Sequence, residues 1–201
     1  AVNGNLKVLR RPHAQKSHRI VPGQIKIEEK IRLYYEAGVG YINKGEPEKA
    51  IDTLKEAYSI NKGYPQVLHA LGLAYFQLGV PETALTWFER TEVITPDDPD
   101  MCNNLASVHL MLKNYEKTIF YSTKSLDNPD YRTPAAAYYN RGVARERTGD
   151  ADGAQKDFRA AMGHEPLWEM PRLELARIMY QRGDYNAVVR LVNAIIIRLN
   201  K

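Results

Sequence analysis

One cysteine, four phenylalanines and two tryptophans in 201 residues exclude several kinds of protein. Cys102 has no partner for an intramolecular disulfide, and no cysteine pair stands at metal-ligand spacing. No apolar stretch approaches the ~20 residues that span a bilayer. The first residues lack the apolar region of a signal peptide, so any export signal is expected to have been removed or never to have existed. No alternating run is long enough to suggest a sheet. Gly38, Gly40 and Gly45 follow no strand and so do not read as a phosphate-binding loop. His13, His18, His69, His109 and His164 are scattered with no pair four apart, with His109 in a packing slot and His164 in a turn. No catalytic residue, no metal and no cofactor is expected.

Basic charge is unevenly spread. Residues 1–23 hold Lys7, Arg10, Arg11, Lys16 and Arg19 and no acid, while the rest of the chain carries 23 basic and 24 acidic residues. This leader shows no helical period, and Pro12, Pro22 and Gly23 interrupt it. With no aromatic interleaved for base stacking, nucleic acid is not an expected partner. A soluble tether is expected, with Arg10, Arg11, Lys16 and Arg19 available to face a membrane. Residues 24–201 form the second unit.

That second unit repeats itself. Frames beginning at Ile31, Pro65, Pro99, Ala135 and Glu169 are spaced 34, 34, 36 and 34 residues apart, giving repeats near 31–64, 65–98, 99–134, 135–168 and 169–201. The second is the clearest: Leu68, Leu71, Gly72, Tyr75, Gly79, Ala84, Phe88 and Pro96 mark two amphipathic helices around a glycine turn. In the first, Tyr34, Ala37, Gly38 and Tyr41 fall on one expected buried face, and its helix is expected to begin near Ile25. Gly72 and Ala84 are the small residues that let paired helices approach closely. The third repeat is degenerate, with Ala106, His109 and Thr118 at signature positions and Cys102 as a buried small hydrophobe. The acidic stretch Thr95–Asp100 lies at a repeat boundary, where its aspartates serve as caps and not as a calcium loop. A fixed period near 34 implies an all-α, right-handed α-solenoid of about five helix-turn-helix repeats.

First helices of such repeats line the concave face. Tyr35, Val39, Ile42, His69, Leu73, Phe76, Leu110 and Tyr139 are the candidate partner-binding groove, more apolar in its N-terminal half. No Lys and Asn stand four apart on the first helix, so a carboxylate clamp for chaperone C-termini is not expected. Ile195, Ile196 and Ile197 form a second candidate interface, two of them fitting ordinary packing and one in surplus. The chain is expected to be a monomer, with self-association through that end.

Aromatic or Leu, then Leu-Gly, Tyr, Gly, Ala, Phe, Ala and Pro in register resemble the tetratricopeptide repeat over about residues 31–198. A narrower segment is similar to the pilotin lipoproteins of type IV pili, the PilF/PilW/Tgl group. Running from Asn103 to Phe158, it holds Asn103-Asn104, Asn114-Tyr115-Glu116, a longer loop with Tyr131 and Pro134, and Asn140 with Gly142, and a closing Gly183-Asp184-Tyr185 also fits. The resemblance implies a non-catalytic assembly factor, lipid-anchored at the periplasmic face of the outer membrane. It would capture an apolar segment of the pilus secretin and assist its localisation and multimerisation. The lipid-bearing cysteine of that family is not in this sequence. A tetratricopeptide adaptor of the envelope or cytosol, binding an apolar segment of another protein, is the alternative.

Overall fold

The computed structural model describes residues 22–199, and over that span it is a row of ten helices in five antiparallel pairs. They are α1 (Pro22–Asn43) with α2 (Pro47–Ile60), α3 (Pro65–Gln77) with α4 (Pro81–Glu92), and α5 (Pro99–Met111) with α6 (Tyr115–Leu126). α7 (Pro134–Arg147) with α8 (Ala151–His164), and α9 (Glu169–Gln181) with α10 (Tyr185–Leu199), complete the row. Each helix packs on its chain neighbours, and the first helices also meet directly at α1 with α3 and α5 with α7. The expected five-repeat all-α solenoid is what folds.

Proline opens six of these helices, at the position where its missing N–H is not needed. This also explains why α1 starts at Pro22, ahead of the expected Ile25: Pro22 and Gly23 open the helix and do not break it. Arg10, Arg11, Lys16 and Arg19 lie outside the described residues. Within each pair the turn ends in a left-handed residue whose successor bonds back five residues, as in Val80 N–H to Tyr75 O at 3.0 Å. Gly45, Gly79, Gly149 and Gly183 take that conformation, and Lys113 takes it in the third repeat at φ 58°.

Close approach within pairs follows a knob-and-flat rule. A Cβ on Gly38 would sit 2.5 Å from Leu54, one on Gly142 would sit 2.8 Å from Phe158, and one on Gly72 would collide with the Phe88 ring. Leu54, Phe88 and Phe158 are fully buried, as are Ala84 and Cys102. Ala37 is exposed, contrary to its expected place on the buried face, because no earlier helix packs on that side of α1 among the described residues. His164 closes α8 and stacks on Tyr138, where a turn position was expected. Of the three isoleucines only Ile195 is buried. Ile196 and Ile197 are 47% and 61% exposed, so one fits the packing where two were expected.

Candidate functional site

Helical geometry puts Tyr35, Val39 and Ile42 on one stripe of α1, and Leu73 and Phe76 on the matching stripe of α3. All five are half-buried. Tyr35, Val39 and Ile42 rest on the core formed by Ile31, Leu54 and Val67, and Leu73 and Phe76 rest on Met101, Leu105 and Val108. Their inner edges are therefore core and their outer edges face the solvent side of the first helices. Leu110 is likewise half-buried on α5. His69 packs near the Phe88 ring, with centroids 5.8 Å apart, and Tyr139 packs on Phe158 and Trp168.

The same face is crossed at every junction between repeats by a polar bond. Gln77 Nε2 donates to Ile42 O at 3.2 Å, and Asn104 Nδ2 lies 2.7 Å from His69 Nε2. An amide N–H only donates, so Nε2 is the acceptor and the neutral ring carries its proton on Nδ1. Burial pushes the His69 pKa down, which suits that neutral role, with Asp98 and Asp100 pulling it weakly up. Asn140 Nδ2 donates to Ser107 Oγ at 2.9 Å and to Asn103 Oδ1 at 3.2 Å. Arg177 then bonds Glu146 across the last junction and Glu174 on its own helix at 2.8 Å. Its pKa is raised, first by the Glu146 hydrogen bond. The face thus runs from apolar, through amide and hydroxyl, to an ion pair.

Behind α7 lies a buried charge cluster that sequence reading missed. Asp157, whose side chain is 4% exposed, accepts from Arg141 Nε and Nη2 at 2.9 and 2.8 Å, and from Arg145 Nη1 at 2.8 Å. Arg141 also donates to Thr123 Oγ1 and lies over the Tyr138 ring. Arg and Asp in a charged helix read as surface residues, and their spacing from one helix to the next carries no motif. The apolar Ala144 and Phe158 beside them were the available clue.

Among the described residues no group of three His, Cys, Asp or Glu is placed to hold a metal ion. Burial pushes the Cys102 thiol up, away from the reactive thiolate. Asp98 caps α5 by accepting from the Asp100 and Met101 amides at 2.9 and 3.2 Å, the capping role expected of this acidic stretch. A cleft of about 570 Å³ lies away from the concave row, lined by Asp97, Ile119, Phe120, Lys124 and Asp127. No described helix is long and apolar enough to cross a membrane.

Two tetratricopeptide repeat family models match the chain, one at residues 31–64 and 135–164 and the other at residues 65–90. Among solved structures the chain is similar to one titled as the functional characterisation of Pseudomonas aeruginosa pilF. That match has a TM-score of 0.76, 18% identity, and coverage of 84% of this chain and 76% of that one. It is similar to PilW, titled a widely conserved type IV pilus biogenesis factor, at 0.78 and 19%, covering 85% and 78%. It is also similar to MamA, at 0.69 and 18%, covering 81% and 94%. At these identities the likeness is one of fold. Peptidyl-prolyl cis-trans isomerase D of Kluyveromyces lactis is 38% identical over 94 residues, which span 46% of this chain and 24% of that protein. Tetratricopeptide repeat protein 21A of Mus musculus is 32% identical over 80 residues, 40% of this chain and 6% of that protein.

Proposed function

Because this chain is a tetratricopeptide repeat protein, a protein-binding scaffold, we propose that it serves without catalysis as a pilotin-like assembly factor for a type IV pilus secretin. The groove of Tyr35, Val39, Ile42, Leu73 and Phe76 takes up an apolar segment of the secretin monomer. Attachment at the periplasmic face of the outer membrane, through a lipid anchor outside this sequence and the basic leader, delivers it there. The observation that carries the reading is the half-buried apolar stripe on α1 and α3. Burying such a side chain from full exposure is worth ~1.5–3 kcal/mol, of which about half remains to a half-buried one, so the two large rings, Phe76 and Tyr35, are the anchors of affinity. The likeness to PilF and PilW, together with the Asn103-to-Phe158 segment, supports the choice of partner.

The likeness to MamA supports a second reading, a scaffold for another apolar client through the same groove. Pull-down of the pilus secretin by the chain and by Phe76→Asp separates them. Capture by the parent chain and loss in a variant that stays folded by circular dichroism supports both role and groove. Capture by both moves the site, first to Ile196 and Ile197. Capture by neither removes the pilus role and leaves the scaffold.

A further inference from the structure

The charge cluster that α7 and α8 pack around Asp157 and the cleft between α8 and α10 occupy corresponding positions in successive repeats, with opposite chemistry. In the first, Arg141 and Arg145 turn inward onto Asp157, and Tyr138 covers a guanidinium at 5.5 Å. At the positions 34 residues on, Leu175, Met179 and Leu191 replace Arg141, Arg145 and Asp157, and Arg172 replaces Tyr138. The other counterparts of Arg172 are Tyr34, Leu68 and Cys102, of which Leu68 and Cys102 are buried apolar residues. An inward charge cluster has become an apolar floor, and an aromatic cover has become a cation.

This second cleft has a volume of about 350 Å³. Leu175, Met179 and Leu191 lie in it with Arg159 from α8, Arg172 from α9 and Arg190 from α10. Among the described residues no carboxylate lies within ion-pair distance of these three guanidiniums. Of the acids on these three helices, Asp152 pairs with Arg182 at 2.7 Å, Asp157 with Arg141 and Arg145, and Glu174 with Arg177, while Glu169 at the start of α9 has interactions of its own. Guanidinium forks match carboxylates two bonds at a time, and beside an apolar floor such pairing is strengthened. Forks from three helices exceed what a single carboxylate can occupy. We infer that this cleft receives an acidic segment of a partner protein, two or more Asp or Glu side chains flanking an aliphatic one that lies on Leu175, Met179 and Leu191. Arg172 and its floor lie on the opposite side of α9 from Leu173 and Arg177, so the site is separate from the concave groove and its failure leaves that reading intact.

The test is fluorescence anisotropy with the full chain and a labelled peptide of alternating Glu and Leu, beside a counterpart with Gln for Glu. The Glu peptide is expected to bind, to weaken with added salt, and to lose at least about tenfold in affinity in the Gln version. Arg172→Leu, which restores the apolar character of the other repeats, and the surface variant Arg190→Gln are each expected to weaken binding by a similar factor without lowering the melting temperature. Secretin capture by Arg172→Leu is expected to match the parent chain. No binding, equal binding of the Gln peptide, or indifference to both arginine variants overturns the proposal. So does Arg172-dependent binding of phosphatidylglycerol vesicles without peptide binding, which would assign the cleft to a lipid surface.

Discussion

The second and third repeats share one backbone and disagree about what fills it. In the second, Gly72 lies flat beneath the buried Phe88 ring. In the third, Ala106 and Ser122 hold those two places, His109 stands for Tyr75, and Lys113 stands for Gly79. Three buried polar atoms without a hydrogen-bond partner, His109 Nδ1, Ser122 Oγ and Tyr131 Oη, belong to this repeat. What it loses inside it regains at its borders. Asn104 reaches His69, Asn103 and Ser107 receive Asn140, and Lys124 Nζ donates to Pro96 O at 2.6 Å, while within the repeat Ser125 Oγ donates to Pro99 O at 2.8 Å. Tyr121 donates to Glu92 at 3.2 Å, and burial followed by that carboxylate pushes its pKa up to about 12. A repeat can surrender its steric signature where its neighbours hold it by hydrogen bonds.

The largest expected effect lies inside the fourth repeat, where the pair of helices is held by charge and not by sterics alone. Asp157→Ala leaves Arg141 and Arg145 uncompensated and is expected to cost about 3–5 kcal/mol in chemical denaturation. Next comes Gly72→Ala, expected to cost about 1–3 kcal/mol because its Cβ meets the buried Phe88, although helix propensity alone favours Ala. Ala106→Gly in the third repeat relieves no such clash and is expected to lose only about 1 kcal/mol, the propensity difference. Ser122→Ala is expected to gain about 1 kcal/mol by removing an unpaired buried hydroxyl.

Protonation gives a further contrast. Burial, with Lys117 as the lesser cause, lowers the His109 pKa, and burial lowers that of His69. A base whose folded pKa is depressed binds fewer protons folded than unfolded, so stability is full above the ordinary value of 6.5 and falls as pH drops below it. A melting series from pH 7.5 to 5 should show that fall, and His109→Tyr should make it shallower. The smallest effect is Lys113→Gly, expected to add about 0.5–1 kcal/mol by relieving a left-handed non-glycine residue.

Much of the architecture was legible because sterics wrote it at fixed intervals: Gly72 with Phe88, Gly142 with Phe158, and a glycine at four turns. The fifth turn hid behind Lys113, since side-chain identity says little once the neighbouring helices force the backbone. The candidate groove was legible as positions, and its polar half was not legible as bonds. Gln77 to Ile42, and Asn140 to Ser107, join residues 35 and 33 apart whose pairing depends on how adjacent repeats are tilted. Arg141 with Asp157 was missed because a buried charge and a surface charge are spelled alike.

Those four junction bonds also set the mechanics of the molecule. Units that touch only their neighbours behave as springs in series, and extension gathers in the softest one. Between the last two repeats the spring is an ion pair, and between the third and fourth it is an amide holding two acceptors. Between the first two, the exposed bond of 3.2 Å from Gln77 to Ile42 O is backed by Arg90 donating to Tyr58 at 2.9 Å and by a core in which Ile31 and Leu54 pack with Val67 and Leu71. The first joint is thus held by shared core as well as by a bond, and a guest entering beside Tyr35 and Phe76 docks against a wall whose pitch is already set.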